Sequence, residues 1–388
     1  RVSKLTDETR RNPFAPYYFA ERYEYELAMA EVCKFKSATG RVPDVGSADA
    51  KTMRLYSFVA MLSGVYDRLA PQAQKSLVGR IQSGLRDDVG ISPLAYELTM
   101  ASHLMQKGVD VEWRDWEAGG YDFLVRNGSV EAEVECKTFS ADIGRKVHRR
   151  HHFQLGGRIH EEIGRALDRD DSIFVDTLIS DRLDGEMDEV AKHICAALTS
   201  GQDVSDMPIV KLHKLSAGDI PFDPDSKDYG PAEITEFVGK RFDRKNPSLL
   251  VMARKGRGIA ILAIRSAKPD EVTGGIYKQL KRGATQFSGE RPAFLCAHML
   301  DMRLGEILQL HAEQERGQPT GFNFIATRLF KDRAYIHTLL FSTPGIPRKS
   351  QTIEGNLRRR HYMESGLVFN FGNPSNPFAN EQGLKFFS

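Results

Sequence analysis

Apolar and polar positions alternate at three- and four-residue spacing in three early stretches: AERYEYELAMAEVCKFKSATG, DAKTMRLYSFVAMLSGVYDRL and PQAQKSLVGRIQSGL. That period predicts three amphipathic helices, and no β-branched run competes with it. Pro71 suits the first turn of the third, while Gly40 and Gly84 suit helix ends. Ser92-Pro93 then opens a further amphipathic stretch, PLAYELTMASHLMQKG, which Gly108 can close. The period changes after it. An extended VEWRDW precedes two runs of period two, GYDFLVR and SVEAEVECKT, on either side of Asn127-Gly128.

Farther on, FQLGGRIHEEIGRALD predicts a helix weakened by Gly156 and Gly157, DSIFVDTLIS a strand and GEMDEVAKHICAALTSG a helix. The order from residue 92 is therefore αβββ, then αβα. A stretch rich in Pro, Asp and Gly over residues 216–231 reads as a linker or long loop. Beyond it come strands PSLLVMAR and GIAILAIR, helix GGIYKQLKRGATQF, strand RPAFLCAHM, helix RLGEILQLHAEQERG, and strands FNFIATRLF and AYIHTLLFS. The tail from Gly345 is expected to wrap the surface. LLVMARKGRGIAILAIRSAK echoes the earlier hairpin in outline, with Ile264, Arg265 and Ser266 where its acids stand, a likeness that chance explains best. These elements predict an α/β (α+β mixed) protein in three regions: helical 1–90, a core over 91–215, and a mixed α/β 216–388.

The Asn127-Gly128 pair is a strong hairpin signal, because a type I′ turn needs positive φ at both central residues. A two-residue loop there pairs Arg126 with Ser129 and, four steps on, Asp122 with Glu133. Opposed residues share a face. One face then carries Tyr121, Phe123, Val125, Val130, Ala132, Val134 and Cys136. The other carries Asp122, Leu124, Arg126, Glu131, Glu133, Glu135 and Lys137. Asp122 lies diagonal to Glu135, roughly 7–8 Å away at the backbone, so both side chains can reach one cation. A solvated hairpin with a charged outer face explains the alternation equally well. It leaves unexplained three acids in alternate positions on one strand, which repel unless a cation or basic partner compensates.

Gly120-Tyr121-Asp122 opening the hairpin and Val134-Glu135-Cys136-Lys137 on its second strand resemble the PD-(D/E)xK superfamily of restriction-endonuclease-like nucleases. Tyr121 stands where the family has a proline. The resemblance spans residues 93–180 and implies an αβββαβ core that hydrolyses phosphodiester bonds. It implies that Asp122 and Glu135 bind Mg²⁺ or Mn²⁺, joined by the Cys136 carbonyl and, from the preceding helix, by Glu97. Glu97 reads equally well as a surface glutamate. Lys137 is expected to position the attacking water, and Gln154 to stand where some members place a glutamine. Oxygen donors suit such hard cations. DNA is the preferred substrate over RNA, with a defence (antiviral), restriction or repair role by analogy. The alternative is a non-catalytic nucleic-acid-binding or assembly protein on the same scaffold.

A net charge of only +2 does not announce a nucleic-acid binder. Its distribution says more. Basic clusters fall at residues 145–150, 254–257, 278–282 and 358–360. Arg145, Lys146, Arg149 and Arg150 follow the expected catalytic strand and are the candidates for holding a phosphate backbone. His148, His151, His152 and His160 sit among these cations, so phosphate contact or exposure is expected of them before zinc. Trp113 and Trp116 are expected in the core or lining a groove. No Gly-x-x-x-x-Gly-Lys-Ser/Thr loop and no Gly-x-Ser-x-Gly elbow occurs, which excludes an encoded ATP-driven motor and an α/β-hydrolase. No apolar run nears the ~20 residues of a membrane span. Arg1 suggests that the native start lies upstream, and RVSKLTDETR has no signal-peptide core. Four scattered cysteines without a CxxC pair point to a reduced, cytoplasmic protein. A homo-oligomer or a partner protein stays open.

Overall fold

The computed structural model describes residues 12–378 apart from 13, 15–18, 21, 87–88, 115–119, 170–171, 222–230, 245–247, 255, 301–320, 345 and 355–356. The chain is α/β, with two mixed sheets in two compact units. Residues 20–143 and 272–388 belong to the first unit, residues 3–19 and 144–271 to the second. The division differs from the expected cuts near 90 and 215. Contacts distant in sequence set it: the chain leaves the first unit after residue 143, returns at residue 272, and pairs residues 293–299 with residues 133–139.

In the first unit the predicted early helices are α1 (Glu24–Thr39), α2 (Ala50–Tyr66) and α3 (Pro71–Arg86), followed by α4 (Ser92–Gln106). Asp49 caps α2 by accepting from the Thr52 N–H at 2.8 Å, and Gly40 and Gly108 take positive φ at helix ends. These helices form no separate domain. Leu55, Phe58, Ala73 and Leu77 share one buried cluster with α4 residues Leu94, Leu98 and Leu104 and with the apolar hairpin face. Each such large side chain contributes about 1.5–3 kcal/mol of burial.

The first sheet runs β1 (Asp110–Trp113), β2 (Phe123–Asn127), β3 (Val130–Phe139), β8 (Ala293–Met299), β9 (Ile336–Ser342), β12 (Val368–Gly372). The β1–β2, β2–β3 and β9–β12 pairs are antiparallel; β3–β8 and β8–β9 are parallel. Helix α8 (Val272–Gly283) packs against β3 and β8. The αβββαβ order is thus α4-β1-β2-β3-α8-β8, whereas the sequence suggested the helix and strand nearest to β3. FNFIATRLF, expected as a strand, lies in α9 (Gly321–Asp332), where Phe322, Ile325, Ala326 and Leu329 bury one helical stripe. The tail also departs from expectation: β12 extends the sheet, and β10 (Ile346–Glu354) pairs with β11 (Leu357–Ser365). The helix expected over RLGEILQLHAEQERG and Trp116 fall outside the described residues.

The second unit holds α5 (Arg149–Arg169), β4 (Ser172–Ile179), α6 (Leu183–Ser200), β5 (Ile209–Leu215), α7 (Pro231–Phe242), β6 (Ser248–Arg254) and β7 (Gly258–Ser266). Its sheet order is β5-β4-β7-β6, with β4 and β7 parallel and both outer pairs antiparallel. The glycines that weakened α5 in the sequence have a packing reason. A Cβ at Gly156 would stand 2.4 Å from Leu250 Cδ2 and 2.8 Å from Phe14 Cδ2, and one at Gly157 would stand 2.6 Å from Asn12. Among the described residues no helix is long and apolar enough to cross a membrane.

Candidate active site

The β2–β3 hairpin pairs Asn127 with Val130, Arg126 with Glu131, Leu124 with Glu133 and Phe123 with Val134. The loop is therefore Gly128-Ser129, not Asn127-Gly128. Gly128 has φ +62°, and no positive φ occurs at Asn127 or Ser129. That is the demand of a II′ turn, with glycine at the first central position. Moving the loop by one residue slides the strands by two, which leaves every residue on its expected face. Extended one step, the register sets Asp122 directly opposite Glu135 instead of diagonal to it. Two hydrogen bonds close that pair: the Cys136 N–H donates to Asp122 Oδ2 at 2.6 Å, and the Asp122 N–H donates to Glu135 Oε2 at 3.2 Å.

The charged face is not a solvated surface. Asp122, Glu133 and Glu135 are buried, as is Leu124 among them. Glu133 has a structural explanation, since it accepts from the Ser288 N–H at 2.8 Å and from Arg291 at 3.4 Å. Glu131 is matched by Arg126 at 2.7 Å and Arg291 at 3.0 Å. Basic partners thus compensate Glu131 and Glu133, whereas Glu135 has other carboxylates beside its one basic partner.

Lys137 Nζ ion-pairs with Glu135 Oε1. Burial, then the Asp122 charge, push the Glu135 carboxyl up to about 8; Lys137 works against the rise and Glu97 adds to it. Glu97 lies on α4, buried rather than on the surface, and receives Arg80 of α3 at 2.7 Å. Three carboxylates from a helix, a strand entry and a central strand thus share one electrostatic environment with two cations. The Cys136 side chain belongs to the apolar cluster on the opposite face and neighbours Cys296 across the parallel β3–β8 pair, where burial pushes its thiol up. Gly283, ending α8, lets that helix close over the lysine stem: a Cβ there would stand 2.8 Å from Lys137 Cε.

No family model, no curated protein and no solved structure matches this chain. Its chemistry therefore rests on its own residues.

The donor set of Asp122, Glu135 and Glu97 fits a hard divalent cation. All are oxygen donors; burial first and the Asp122 charge second raise the Glu135 carboxyl, which a bound cation would bring back down. Yet among the described residues no group of three or more His, Cys, Asp or Glu stands at metal-ligating spacing. The contacts with Arg80, Lys137 and the Cys136 N–H occupy those carboxylates instead.

The remaining expected residues belong to the second unit. Lys146 is tied up locally, its N–H to Asp270 at 2.7 Å and its ammonium to Asp181 at 3.1 Å. Arg149, Arg150 and Gln154 lie in the first turns of α5, and Arg145 just before it. His152, expected at the surface, is buried with Nδ1 2.8 Å from Ser248 Oγ, and desolvation lowers its ring to about 3. Trp113 is in the core, edge-on to Phe123 at 5.3 Å. Sequence reasoning missed Arg80, which sits on a separate helix with no local motif. It also missed His298 of β8, whose ring stacks on Tyr96 at 4.4 Å and meets Ser342 Oγ at 2.9 Å.

Proposed function

We propose that this chain is a divalent-metal-dependent nuclease related to the PD-(D/E)xK superfamily, acting on DNA in preference to RNA. The observation that carries this reading is the buried set of Glu97, Asp122 and Glu135 beside Lys137 at the carboxyl end of β3. Asp122 and Glu135 would hold Mg²⁺ or Mn²⁺, with Glu97 and the Cys136 carbonyl as further donors. Bound there, the cation supplies a Lewis acid for the scissile phosphate and its attacking water. Lys137 orients water and offsets charge that develops on the phosphate. Asp122, fixed by the Cys136 N–H, presents its carboxylate without having to reorganise.

A nucleic-acid substrate is further supported by α8 and α9. Their sequences carry Lys278, Lys281, Arg282, Arg328 and Lys331 against Asp332 alone, and all five cations are exposed. Asp332 is taken by Lys281 at 2.7 Å, and Arg328 lies 4.3 Å over the Tyr277 ring. The end of α8 at Gly283 lies against the Lys137 stem, so the helix that carries three of these cations also meets the site, and an exposed basic face suits a phosphate backbone. The earlier candidates Arg145, Lys146, Arg149, Arg150 and Gln154 remain a second phosphate-contacting group in this reading. Four free cysteines agree with a cytoplasmic setting.

One observation favours a non-catalytic scaffold instead: Arg80 and Lys137 already hold the carboxylates that a metal would need. Incubation with single- and double-stranded DNA and RNA plus Mg²⁺ or Mn²⁺ separates the two readings. The nuclease reading expects metal-dependent cleavage that disappears in Asp122→Asn and Lys137→Ala. Cleavage unchanged in both variants removes this site assignment. No cleavage by the parent protein favours the scaffold.

A further inference from the structure

The second sheet ends in the opposite chemistry. Asp176 of β4 is 2% exposed and points to the α7 face of the sheet, on which Phe174 packs with Phe237. Arg244 donates to its Oδ2 through Nε at 3.0 Å and a terminal nitrogen at 2.7 Å. Arg265 of β7 donates through Nε to Oδ1 at 3.4 Å. Lys211 of β5, exposed, is the register partner of Asp176 and shares its face. Arg244 reaches the site because α7 ends at Phe242 and Asp243 turns the chain through the left-handed region at φ +51°, a conformation that aspartate tolerates better than most residues.

A lone buried aspartate needs one guanidinium to be matched. Here two guanidiniums bond to it and Lys211 shares its face, in the carboxyl half of the parallel pair β4–β7, the side on which open α/β sheets bind their ligands. Asp176 fixes both guanidinium planes, and the arginine side chains stay 26% and 38% exposed. Among the described residues the terminal nitrogens of Arg265 and the Lys211 ammonium meet no acceptor. Two guanidiniums held in place by Asp176, with an exposed ammonium beside them, form the donor set that recognises a tetrahedral oxyanion.

We infer that Arg244, Arg265 and Lys211 form a phosphate-binding site in the second unit, organised by Asp176. The group recognised is a phosphate carried by a free nucleotide or by a nucleic-acid backbone.

Calorimetric titration of the full chain with inorganic phosphate and with a mononucleotide tests the first source. Fluorescence anisotropy with a short labelled single-stranded oligonucleotide, in EDTA to prevent cleavage, tests the second. Arg265→Gln is the informative variant, since it leaves the bidentate Arg244–Asp176 pair and hence the fold intact. The site predicts binding in at least one arm, weakened about tenfold or more by Arg265→Gln and less by Lys211→Gln, with thermal unfolding unmoved. The responding arm identifies the source of the phosphate. Absence of binding in every arm, or equal binding by Arg265→Gln, overturns the inference.

Discussion

The two units share a backbone pattern and differ in charge. In the first, the β2–β3 hairpin lies beside a parallel strand, β8; in the second, the β6–β7 hairpin lies beside a parallel strand, β4. At the end of the first sheet three carboxylates meet two cations, Arg80 and Lys137. At the end of the second, one carboxylate meets Arg244, Arg265 and Lys211. The same arrangement of strands can therefore favour a bound cation or a bound anion. In the proposed readings the balance of carboxylates to basic groups decides which, three to two in the first unit and one to three in the second.

The comparison breaks most sharply in activity. Lys137→Ala should lower metal-dependent cleavage by about 10²–10³-fold, in line with removal of one charge-stabilising group, while Arg265→Gln should leave the chemical step unchanged; single-turnover rates at saturating metal report both. Stability should respond next. Asp176→Asn leaves two partly exposed arginines facing a neutral group and should cost about 1–3 kcal/mol, the scale for losing charge-assisted hydrogen bonds, read by denaturant unfolding.

Glu135→Gln should act in the other direction and stabilise the metal-free protein by about 1–3 kcal/mol near pH 8. The sign follows from the raised carboxyl. The folded chain keeps a proton up to about 8 that the unfolded chain releases near 4.5, so stability is full below 4.5 and is lost as pH rises toward 8. Glutamine should flatten that slope in thermal unfolding scans.

His152 supplies the reverse slope. The unfolded ring takes a proton near 6.5 that the buried ring refuses down to about 3, so stability is lost as pH falls across that window. His152→Asn should flatten the acid limb of the same scans.

Smallest of all is Gly283→Ala. The three atoms nearest its methyl all belong to the flexible Lys137 stem, so it should lower the cleavage rate several-fold at nearly constant melting temperature, consistent with displacing one positioned group.

Local patterns made part of this molecule legible. The alternation of residues 121–137 set both hairpin faces, and a slide of two residues could not disturb them, whereas a slide of one would have. The spacing of α4 kept Glu97 a candidate without deciding whether it was buried. What stayed hidden was long-range. Nothing near β3 signals that its parallel partner begins at Ala293, or that Glu133 would be satisfied by Ser288 and Arg291. FNFIATRLF reads as a strand by composition, and only the sheet it packs against selects the helix. Asp176 drew no attention in the sequence, and Arg265 entered only as a residue standing where the earlier hairpin has its acids, because their encounter depends on the pairing of β4 with β7.

In the proposed reading the carboxyl end of the first sheet takes a divalent cation and that of the second does not. Calorimetric titration with MnCl₂ tests it without requiring turnover, a substrate or an activating partner. The parent protein should bind Mn²⁺, Asp122→Asn should lose that binding, and Arg265→Gln should bind undiminished. Binding that survives Asp122→Asn, or no Mn²⁺ binding by the parent protein, would contradict that reading.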